Sequence, residues 1–197
     1  MSTGLNSQLQ AMGRLATAPA HLTKQERMVL YALTIGLRPE RVLEIGTLHG
    51  GSAQVICAGL DDVDRGRMVC VDPAPQVSPE TWALVEHRSQ LIAGPSPGAL
   101  AEAVGLAGGR FDFAFIDGDH SREGVERDLD GILDVVADEA YLVLHDAFHA
   151  TVREGIDAVL ARAGGRLSDA GLVANEPTID PNGYWWGGLR MLRFRRA

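Results

Sequence analysis

Five short apolar runs, each followed by a stretch with helical character, constrain the fold of this chain more than any other feature. Several of them are unbroken apolar runs, which is typical of strands buried on both faces of a parallel sheet. The five runs occupy residues 41–45, 67–71, 90–93, 111–116 and 140–144. Strands that alternate with helices in this way predict an α/β fold built on a doubly wound, mostly parallel sheet.

Capping residues predict where the helices between these strands begin. Thr23 and Glu26 form a capping box, which predicts a helix from there to about Ile35. Gly36 and Pro39 are expected to end this helix. The later helix starts are expected at Ser78-Pro79, at Ser96-Pro97, at Ser121 before residues 122–136, and at a second capping box of Thr151 and Glu154 before residues 152–163.

The end of the chain follows a different pattern. Residues 171–174 and 189–194 are strand-like, and the segment 175–188 between them is rich in proline, glycine and aromatic residues. This segment has no room for a crossover helix, so the last two strands are expected to be antiparallel. The whole pattern predicts a Rossmann-like sheet of seven strands with an antiparallel C-terminal strand. Residues 1–22 are predicted to be an N-terminal arm or lid, and residues 23–197 a single domain.

Composition and charge exclude several classes of protein. The chain has 197 residues, with 18 basic against 26 acidic side chains and a net charge of −8, which disfavours nucleic-acid binding. Lys24 is the only lysine, so a catalytic lysine is excluded elsewhere. No apolar run is long enough to cross a bilayer and no secretory leader is visible, so we expect a cytoplasmic protein. Cys57 and Cys70 are expected to be buried as small apolar residues in a reducing compartment.

A glycine-rich loop follows the first strand, running from Glu44 through Gly46, Thr47 and Gly50 to Ser52. Its glycines would let a ligand approach the backbone, and the next helix would offer free N–H groups to a carboxylate or another anion. The spacing is not the dinucleotide fingerprint. The acidic side chain before the loop would repel a pyrophosphate and suit a cationic or amine-bearing ligand. A plain strand-to-helix turn is the alternative interpretation.

The second strand ends in Asp72, where a carboxylate is placed to accept the ribose hydroxyls of a nucleoside. Aspartate is also common at strand ends for reasons of turn geometry alone. Together with Glu44, this residue predicts a nucleoside-bearing cofactor with a positively charged end.

Two further acidic residues, Asp117 and Asp146, end the fourth and fifth strands. Neighbouring carboxylates are costly unless a positive charge lies between them, and a divalent cation is the natural candidate. The alternative is that both residues only cap loops or helices. His120, His145 and His149 follow these strands and are available for proton transfer near neutral pH.

These motifs resemble those of class I S-adenosylmethionine-dependent methyltransferases. The resemblance rests on residues 42–52, on Val71-Asp72, on residues 111–121 and on residues 142–146. The Asp-Gly-Asp-His run at Asp117–His120 is similar to that of small bacterial O-methyltransferases, among them enzymes that modify sugars and other hydroxyls of natural products. That branch is akin to the metal-dependent catechol and caffeoyl-CoA O-methyltransferases.

The resemblance implies S-adenosylmethionine as cofactor, a hydroxylated small molecule as acceptor, and a role for each strand-end residue. The implied cofactor contacts are Glu44, Gly46, Thr47 and Ser52 along the methionine and ribose, Asp72 on the ribose hydroxyls, Gly94 and Ser96 along the adenine, and Asp117 between cofactor and metal. The implied Mg2+ ligands are Asp117, Asp146 and, more weakly, His145. Either His120 or Asp119 would accept the proton of the acceptor.

One departure from the pattern keeps other functions open. Catechol-type relatives carry an amide or a second acid directly after the strand-five aspartate, where this chain has Ala147. Metal-independent transfer to oxygen or nitrogen is therefore an alternative, as are a non-catalytic homologue and a nucleotide-dependent oxidoreductase. Tyr184, Trp185 and Trp186 would form either an aromatic wall of the pocket or a subunit interface, and a homodimer is expected.

Overall fold

The order of the strands in the sheet determines where a ligand can bind. The computed structural model describes residues 13–196, which form one sheet of seven strands in the order β3-β2-β1-β4-β5-β7-β6. The strands are β1 (Arg41–Ile45), β2 (Arg67–Asp72), β3 (Ser89–Ala93), β4 (Phe111–Ile116), β5 (Val136–Leu144), β6 (Leu167–Ile179) and β7 (Trp185–Phe194).

The first five strands are parallel, and β7 is antiparallel to both β5 and β6. The predicted Rossmann-like sheet with antiparallel C-terminal strands is therefore confirmed. Strand β1 pairs with β2 on one side and with β4 on the other, so the strand order reverses at β1. Ligands of such sheets bind outside the carboxyl ends of the strands at this reversal point.

Helices cover both faces of the sheet. They are α1 (Lys24–Leu37), α2 (Gly51–Asp62), α3 (Pro79–Ala83), α4 (Leu100–Ala107), α5 (Arg122–Leu133) and α6 (Ala150–Arg162), and residues 13–17 form a short helical segment before them. Alternate residues of each strand enter two separate cores. Leu43 packs in the core beneath α4, α5 and α6, whereas Val42 packs in the core beneath α1 and α2. No helix within residues 13–196 is long and apolar enough to cross a membrane.

The structure confirms three of the predicted caps and corrects the helix limits around them. Thr23 and Glu26 form the expected capping box, and Ser78 and Ser121 cap α3 and α5. Helix α1 runs through Gly36 to Leu37, because the N–H of Arg38, in the left-handed region, still reaches the Thr34 carbonyl. Helix α5 ends at Leu133, and β5 begins at Val136 rather than at residue 140.

Two predicted caps are wrong. Ser96 does not cap a helix, because residues 96–99 form a turn and α4 begins only at Leu100. Thr151 does not cap α6, which begins one residue earlier at Ala150. The Thr151 hydroxyl instead donates to the carbonyl oxygen of His120 at 2.5 Å. This bond ties the start of α6 to the segment after β4.

The C-terminal hairpin is longer than predicted, because most of residues 175–188 belongs to β6 and β7. The Asp180 carboxylate organises the reversal, accepting the N–H groups of Asn182 and Tyr184 at 2.9 Å each. A side chain that satisfies the turn backbone lets the strands pair almost to the tip. The hairpin therefore reaches past the edge of the sheet where the ligand is expected.

Candidate active site

A cavity of about 620 Å³ opens at the carboxyl ends of β1, β4 and β5. The loop after β1 forms one side of it, residues 19–23 form the roof, and the start of β7 closes the opposite side. Four predicted strand-end residues line this cavity together: Asp117, His120, His145 and Asp146. Gly46, Thr47 and Ser52 line it from the glycine loop.

Glu44 lies behind the loop rather than in the cavity lining. Its carboxylate is fully buried and accepts the hydroxyls of Ser52 at 2.6 Å and Thr47 at 2.9 Å. Burial raises the pKa of Glu44 more than these hydrogen bonds lower it. The residue holds both ends of the loop, and a direct contact between Glu44 and a cofactor stays a prediction.

Asp72 also supports the loop. Its Oδ2 accepts the N–H groups of Thr47 at 2.9 Å and Leu48 at 2.8 Å, and its Oδ1 accepts that of Ala74 at 2.7 Å. Because Thr47 bonds both Asp72 and Glu44, the two predicted carboxylates do meet at one edge of the sheet. The assignment of Asp72 to ribose hydroxyls stays a prediction.

Gly46 allows β1 and β4 to approach each other at the cavity floor. It has φ +86°, and a Cβ on it would lie 1.9 Å from the carbonyl oxygen of Asp117. No other residue fits such a space, so the glycine loop and the Asp117 backbone are held in contact.

The first turn of α2 faces the same cavity with free N–H groups. Gly50 precedes the helix in the left-handed region and provides no side-chain cap. The N–H groups of Gly51, Ser52 and Ala53 find no acceptor among the described residues. A helix start of this kind binds anions and carboxylates.

Two carboxylates and two imidazoles form a cluster on the cavity floor. His120 Nε2 lies 3.0 Å from Asp146 Oδ2 and 3.4 Å from Asp117 Oδ1. His145 Nδ1 lies 3.1 Å from Asp117 Oδ1 and 3.3 Å from Asp146 Oδ2. One possible ligand atom from each of Asp117, His120 and Asp146 falls within 4.8 Å of the others, a spacing that one metal ion could bridge.

The charges of this cluster depend on one another. Hydrogen bonds to Asp117 and Asp146 raise the pKa of His120 to about 9. Burial lowers the pKa of His145, but the charge of Asp117 and hydrogen bonds to three carboxylates raise it well above its usual value. Burial raises the pKa of Asp146, and the hydrogen bonds from both histidines outweigh it and leave that pKa lowered. The two protonated imidazoles therefore supply positive charge that balances the neighbouring carboxylates of Asp117 and Asp146.

Sequence reasoning missed one residue of this site, Glu26 on α1. Its side chain is completely buried, accepts the N–H groups of Thr23 at 2.7 Å and Gly188 at 2.5 Å, and lies 3.4 Å from His145 Nε2. From the sequence, the capping box with Thr23 predicts only a local role for this glutamate at the start of α1. Its contact with Gly188, 162 residues away, could not be predicted without the fold.

Arg27 holds the roof of the cavity in place. Its guanidinium donates to the carbonyl oxygens of Leu15, Ala18, Ala20 and Leu22 at 2.7–3.0 Å. The sequence predicted a lid or arm at residues 1–22; residues 13–22 are described, 19–22 line the cavity, and residues 1–12 lie outside the described part. A role for this segment as a lid stays a prediction.

Of the three predicted aromatic residues, Trp186 alone lines the cavity. Its ring lies 4.2 Å from that of His149 and meets His120 edge-on at 5.5 Å, measured between centroids. Tyr184 and Trp185 are at least half exposed on the hairpin. The expected aromatic wall is therefore one tryptophan stacked against a histidine.

A profile of a family described as "Methyltransferase domain" matches residues 43–147, more than half of the chain. The chain belongs to this methyltransferase family. The predicted methyltransferase is thereby confirmed, and the oxidoreductase alternative is set aside. A search of curated proteins found no match to this methyltransferase.

Solved structures share the fold of the methyltransferase over nearly its whole length. Cofactor-bound Rv0187 from MTB is 22% identical, with a TM-score of 0.70 over 98% of this chain and 91% of that one. An O-methyltransferase from Bacillus cereus in complex with SAH is 19% identical, with a TM-score of 0.70 over 99% and 91%. The O-methyltransferase TomG from Streptomyces achromogenes, in complex with SAM, is 18% identical, with a TM-score of 0.68 over 98% and 90%.

Besides Glu44 and Asp72, three predicted site residues of the methyltransferase lie outside the lining of this cavity. Asp119 accepts the Ser121 N–H at 2.9 Å and pairs with Arg127 at 3.2 Å, so of the two predicted bases only His120 faces the cavity. Gly94 donates its N–H to the Asp72 carbonyl oxygen, and the Ser96 hydroxyl is buried without a hydrogen-bond partner among the described residues. Adenine contacts of Gly94 and Ser96 stay predictions.

Proposed function

We propose that this methyltransferase moves the methyl group of S-adenosylmethionine to a hydroxyl of a small molecule, such as a sugar or a phenol. One observation carries the proposal: a single cavity joins the free N–H groups of α2 to the cluster of Asp117, His120, His145 and Asp146. An anion site and an acid–base cluster in one cavity suit a cofactor and an acceptor held side by side.

The cavity fits the methionine end of the cofactor. The free N–H groups at Gly51, Ser52 and Ala53 are suited to its carboxylate. The carboxylates of Asp117 and Asp146 supply negative charge for a sulfonium. The Bacillus cereus and Streptomyces achromogenes neighbours bind SAH and SAM in the same fold, which supports the same cofactor here.

A divalent ion fits the floor of the cavity. Asp117 and Asp146 provide carboxylate oxygens, which Mg2+ prefers, and Nδ1 of His145 adds a nitrogen donor that Mn2+ also accepts. A bound ion would lower the pKa of an acceptor hydroxyl and fix its position. The side chains present are therefore compatible with metal assistance.

The protein's own residues orient the acceptor and take its proton. Trp186 offers an aromatic face on one side. The imidazole of His120 has 38% of its side chain exposed toward the cavity, whereas that of His145 is buried. As the acceptor oxygen bonds the methyl carbon and the carbon–sulfur bond breaks, the hydroxyl proton passes to Nε2 of His120. In-line placement of the oxygen by the cavity walls supplies most of the advantage over reaction in water.

The charge of the cavity favours an acceptor without phosphate. No described residue that lines the cavity is a lysine or arginine. Residues 1–12, outside the described part, contain neither. A phosphorylated acceptor would meet no lysine or arginine in the described lining of the cavity, and the two imidazoles on the cavity floor already balance Asp117 and Asp146. It would also face the carboxylate of Glu26. An uncharged or amine-bearing hydroxylated natural product suits the site best.

Titration calorimetry with SAH tests the cofactor. We expect binding in the micromolar range, about −8 kcal/mol. Transfer of labelled methyl from S-adenosylmethionine to a panel of sugars and phenols, each paired with its amine analogue, separates O- from N-methylation. Binding without turnover on every acceptor would indicate a non-catalytic homologue. If activity is retained in a chelator without added Mg2+, Asp117 and Asp146 serve only structure or cofactor binding.

Two further predictions from the sequence belong to this proposal. A homodimer would cover the exposed apolar side chains of Ile179, Tyr184 and Trp185 on the hairpin, and light scattering measures its mass. A cytoplasmic location agrees with two free, buried cysteines, Cys57 and Cys70. Fluorescent tagging in the source cell tests the location.

A further inference from the structure

The carboxylate of Glu26, at the start of α1, lies 3.4 Å from Nε2 of His145. We propose that Glu26 is a positioning residue for a divalent ion: by holding Nε2 of His145, it directs Nδ1 of that ring toward Asp117 and Asp146. This inference rests on the metal-assisted part of the proposed function. It assigns to α1, which precedes the first strand, a part in building the metal site.

The contacts of Glu26 fix its carboxylate from two sides. One oxygen, Oε2, accepts the Thr23 N–H at 2.7 Å, and the other, Oε1, accepts the Gly188 N–H at 2.5 Å. The side chain is completely buried, an unusual state for a glutamate unless a partner balances its charge. His145 is that partner, with Nε2 3.4 Å from Oε2.

The two nitrogens of His145 face different groups. Nδ1 lies 3.1 Å from Asp117 and 3.3 Å from Asp146, on the floor of the cavity. Nε2 is buried, has no well-formed hydrogen bond among the described residues, and lies 3.4 Å from Oε2 of Glu26. A histidine that binds a metal through one nitrogen commonly donates the N–H of the other to a carboxylate, which fixes the ring and its tautomer.

Helix capping alone does not explain this arrangement. A glutamate in a capping box needs to reach only the backbone N–H of the cap residue, here Thr23, and does so equally well at a solvent-exposed helix start. Glu26 instead lines the cavity and joins α1 to the start of β7 and the end of β5. Both of these strands border the carboxylate–imidazole cluster.

Titration with Mn2+ of the wild type, Glu26→Gln and Thr23→Val tests the inference. Glu26→Gln should weaken Mn2+ binding about 10- to 100-fold, the usual loss when the outer partner of a metal-binding histidine is removed. Its affinity for SAH should change much less than its affinity for Mn2+, because the first turn of α2 is the proposed site of the SAH carboxylate. Thr23→Val removes the hydroxyl that caps Glu26 N–H at 3.2 Å. It should lower the melting temperature and leave Mn2+ affinity unchanged.

Equal Mn2+ affinity in Glu26→Gln and wild type would overturn the inference. An equal loss in Thr23→Val would also do so, because the effect would then come from the position of the helix. A wild type that binds SAH but no Mn2+ would overturn the inference and leave methyl transfer standing. A wild type that does not bind SAH would instead refute the proposed cofactor.

A measurement on the wild type keeps the inference testable if Glu26→Gln does not fold. Spectra of 15N-histidine-labelled protein with Cd2+ should show the His145 ring bound through Nδ1 and protonated at Nε2. A ring bound through Nε2, or one that Cd2+ does not affect, would show that Glu26 does not position it.

Discussion

Asp72 accepts the backbone N–H of Thr47 at 2.9 Å, although 25 residues of chain separate them. This bond fastens the end of β2 to the glycine loop after β1. The same carboxylate accepts the N–H of Leu48, so a group predicted to hold a ribose also holds the loop that lines the cavity. Changes at Asp72 should therefore affect binding even where they do not touch the ligand.

Replacement of Asp72 by alanine should weaken SAH binding about 10- to 100-fold, because hydrogen bonds to a charged group contribute about 1.5–3 kcal/mol. Asp72→Asn keeps one acceptor oxygen for the loop but loses the charge, so its affinity should fall between the two. Calorimetry on all three proteins measures the series. Unchanged affinity in Asp72→Ala would show that SAH binding depends neither on the loop hydrogen bonds of Asp72 nor on a contact between Asp72 and the ribose.

Glu44 should influence stability in a pH-dependent way. Burial raises its pKa above the value of about 4.3 in the unfolded chain. An acid with a raised pKa binds its proton more tightly when folded, so its contribution to stability falls as pH rises above the unfolded value. The Glu44→Gln variant lacks this ionisable group. We therefore expect its free energy of unfolding to rise relative to that of wild type as the pH increases from 5 to 8.

Urea unfolding of both proteins at the two pH values measures this difference. Glu44→Ala is the contrasting variant, because it leaves the hydroxyls of Thr47 and Ser52 without their shared acceptor. We expect it to lose about 1–3 kcal/mol at pH 5 and less at pH 8, because it too lacks the ionisable group. A constant difference between Glu44→Gln and wild type would mean that Glu44 ionises normally in the folded protein.

Arg27 should control the roof of the cavity. Arg27→Ala removes four carbonyl contacts from residues 15–22, so amide exchange there should accelerate and SAH should dissociate faster. Lys24→Ala is the matched control, since it removes an exposed positive charge from the same helix. Exchange that accelerates equally in both variants would assign the effect to charge instead of to these bonds.

The sequence predicted the sheet and the edge of it that carries the site, because buried strands and glycine turns are local signals. Asp117, His120 and Asp146 follow strands that are neighbours in any sheet of this order, so their meeting could be predicted from motif positions. The interpretation of Glu44 and Asp72 was incomplete for a physical reason. A carboxylate at a strand tip can bind backbone or ligand, and sequence does not distinguish the two.

Other features depend on contacts distant in sequence. Glu26 meets Gly188 across 162 residues, and no local pattern marks that pair. The local motif predicts Thr151 as a helix cap, whereas its hydroxyl donates to the carbonyl oxygen of His120, 31 residues away. The glycines and prolines of the hairpin predict a loop, whereas β6 and β7 remain paired as far as Ile179 and Trp185.

The protonation of His120 provides the sharpest pH test. Hydrogen bonds to Asp117 and Asp146 raise its pKa to about 9, so without a divalent ion the imidazole is protonated at neutral pH and cannot act as a base. An ion bound by the two carboxylates would engage those partners and add positive charge, which should move the pKa back toward about 6.5. Base catalysis by His120 should therefore need high pH in a chelator and work near neutral pH with metal.

NMR titration of labelled histidines, with His120→Asn to assign the signal, measures this pKa directly. Without metal we expect a midpoint near 9, and a lower midpoint with saturating Mg2+. In metal-free protein the stability contributed by this raised pKa should be fully present below about pH 6.5 and lost as pH rises through about 9. His120→Asn should thus cost more stability at pH 6 than at pH 10. A metal-free midpoint near 6.5, or one that Mg2+ leaves unchanged, would show that Asp117 and Asp146 do not control the pKa of His120.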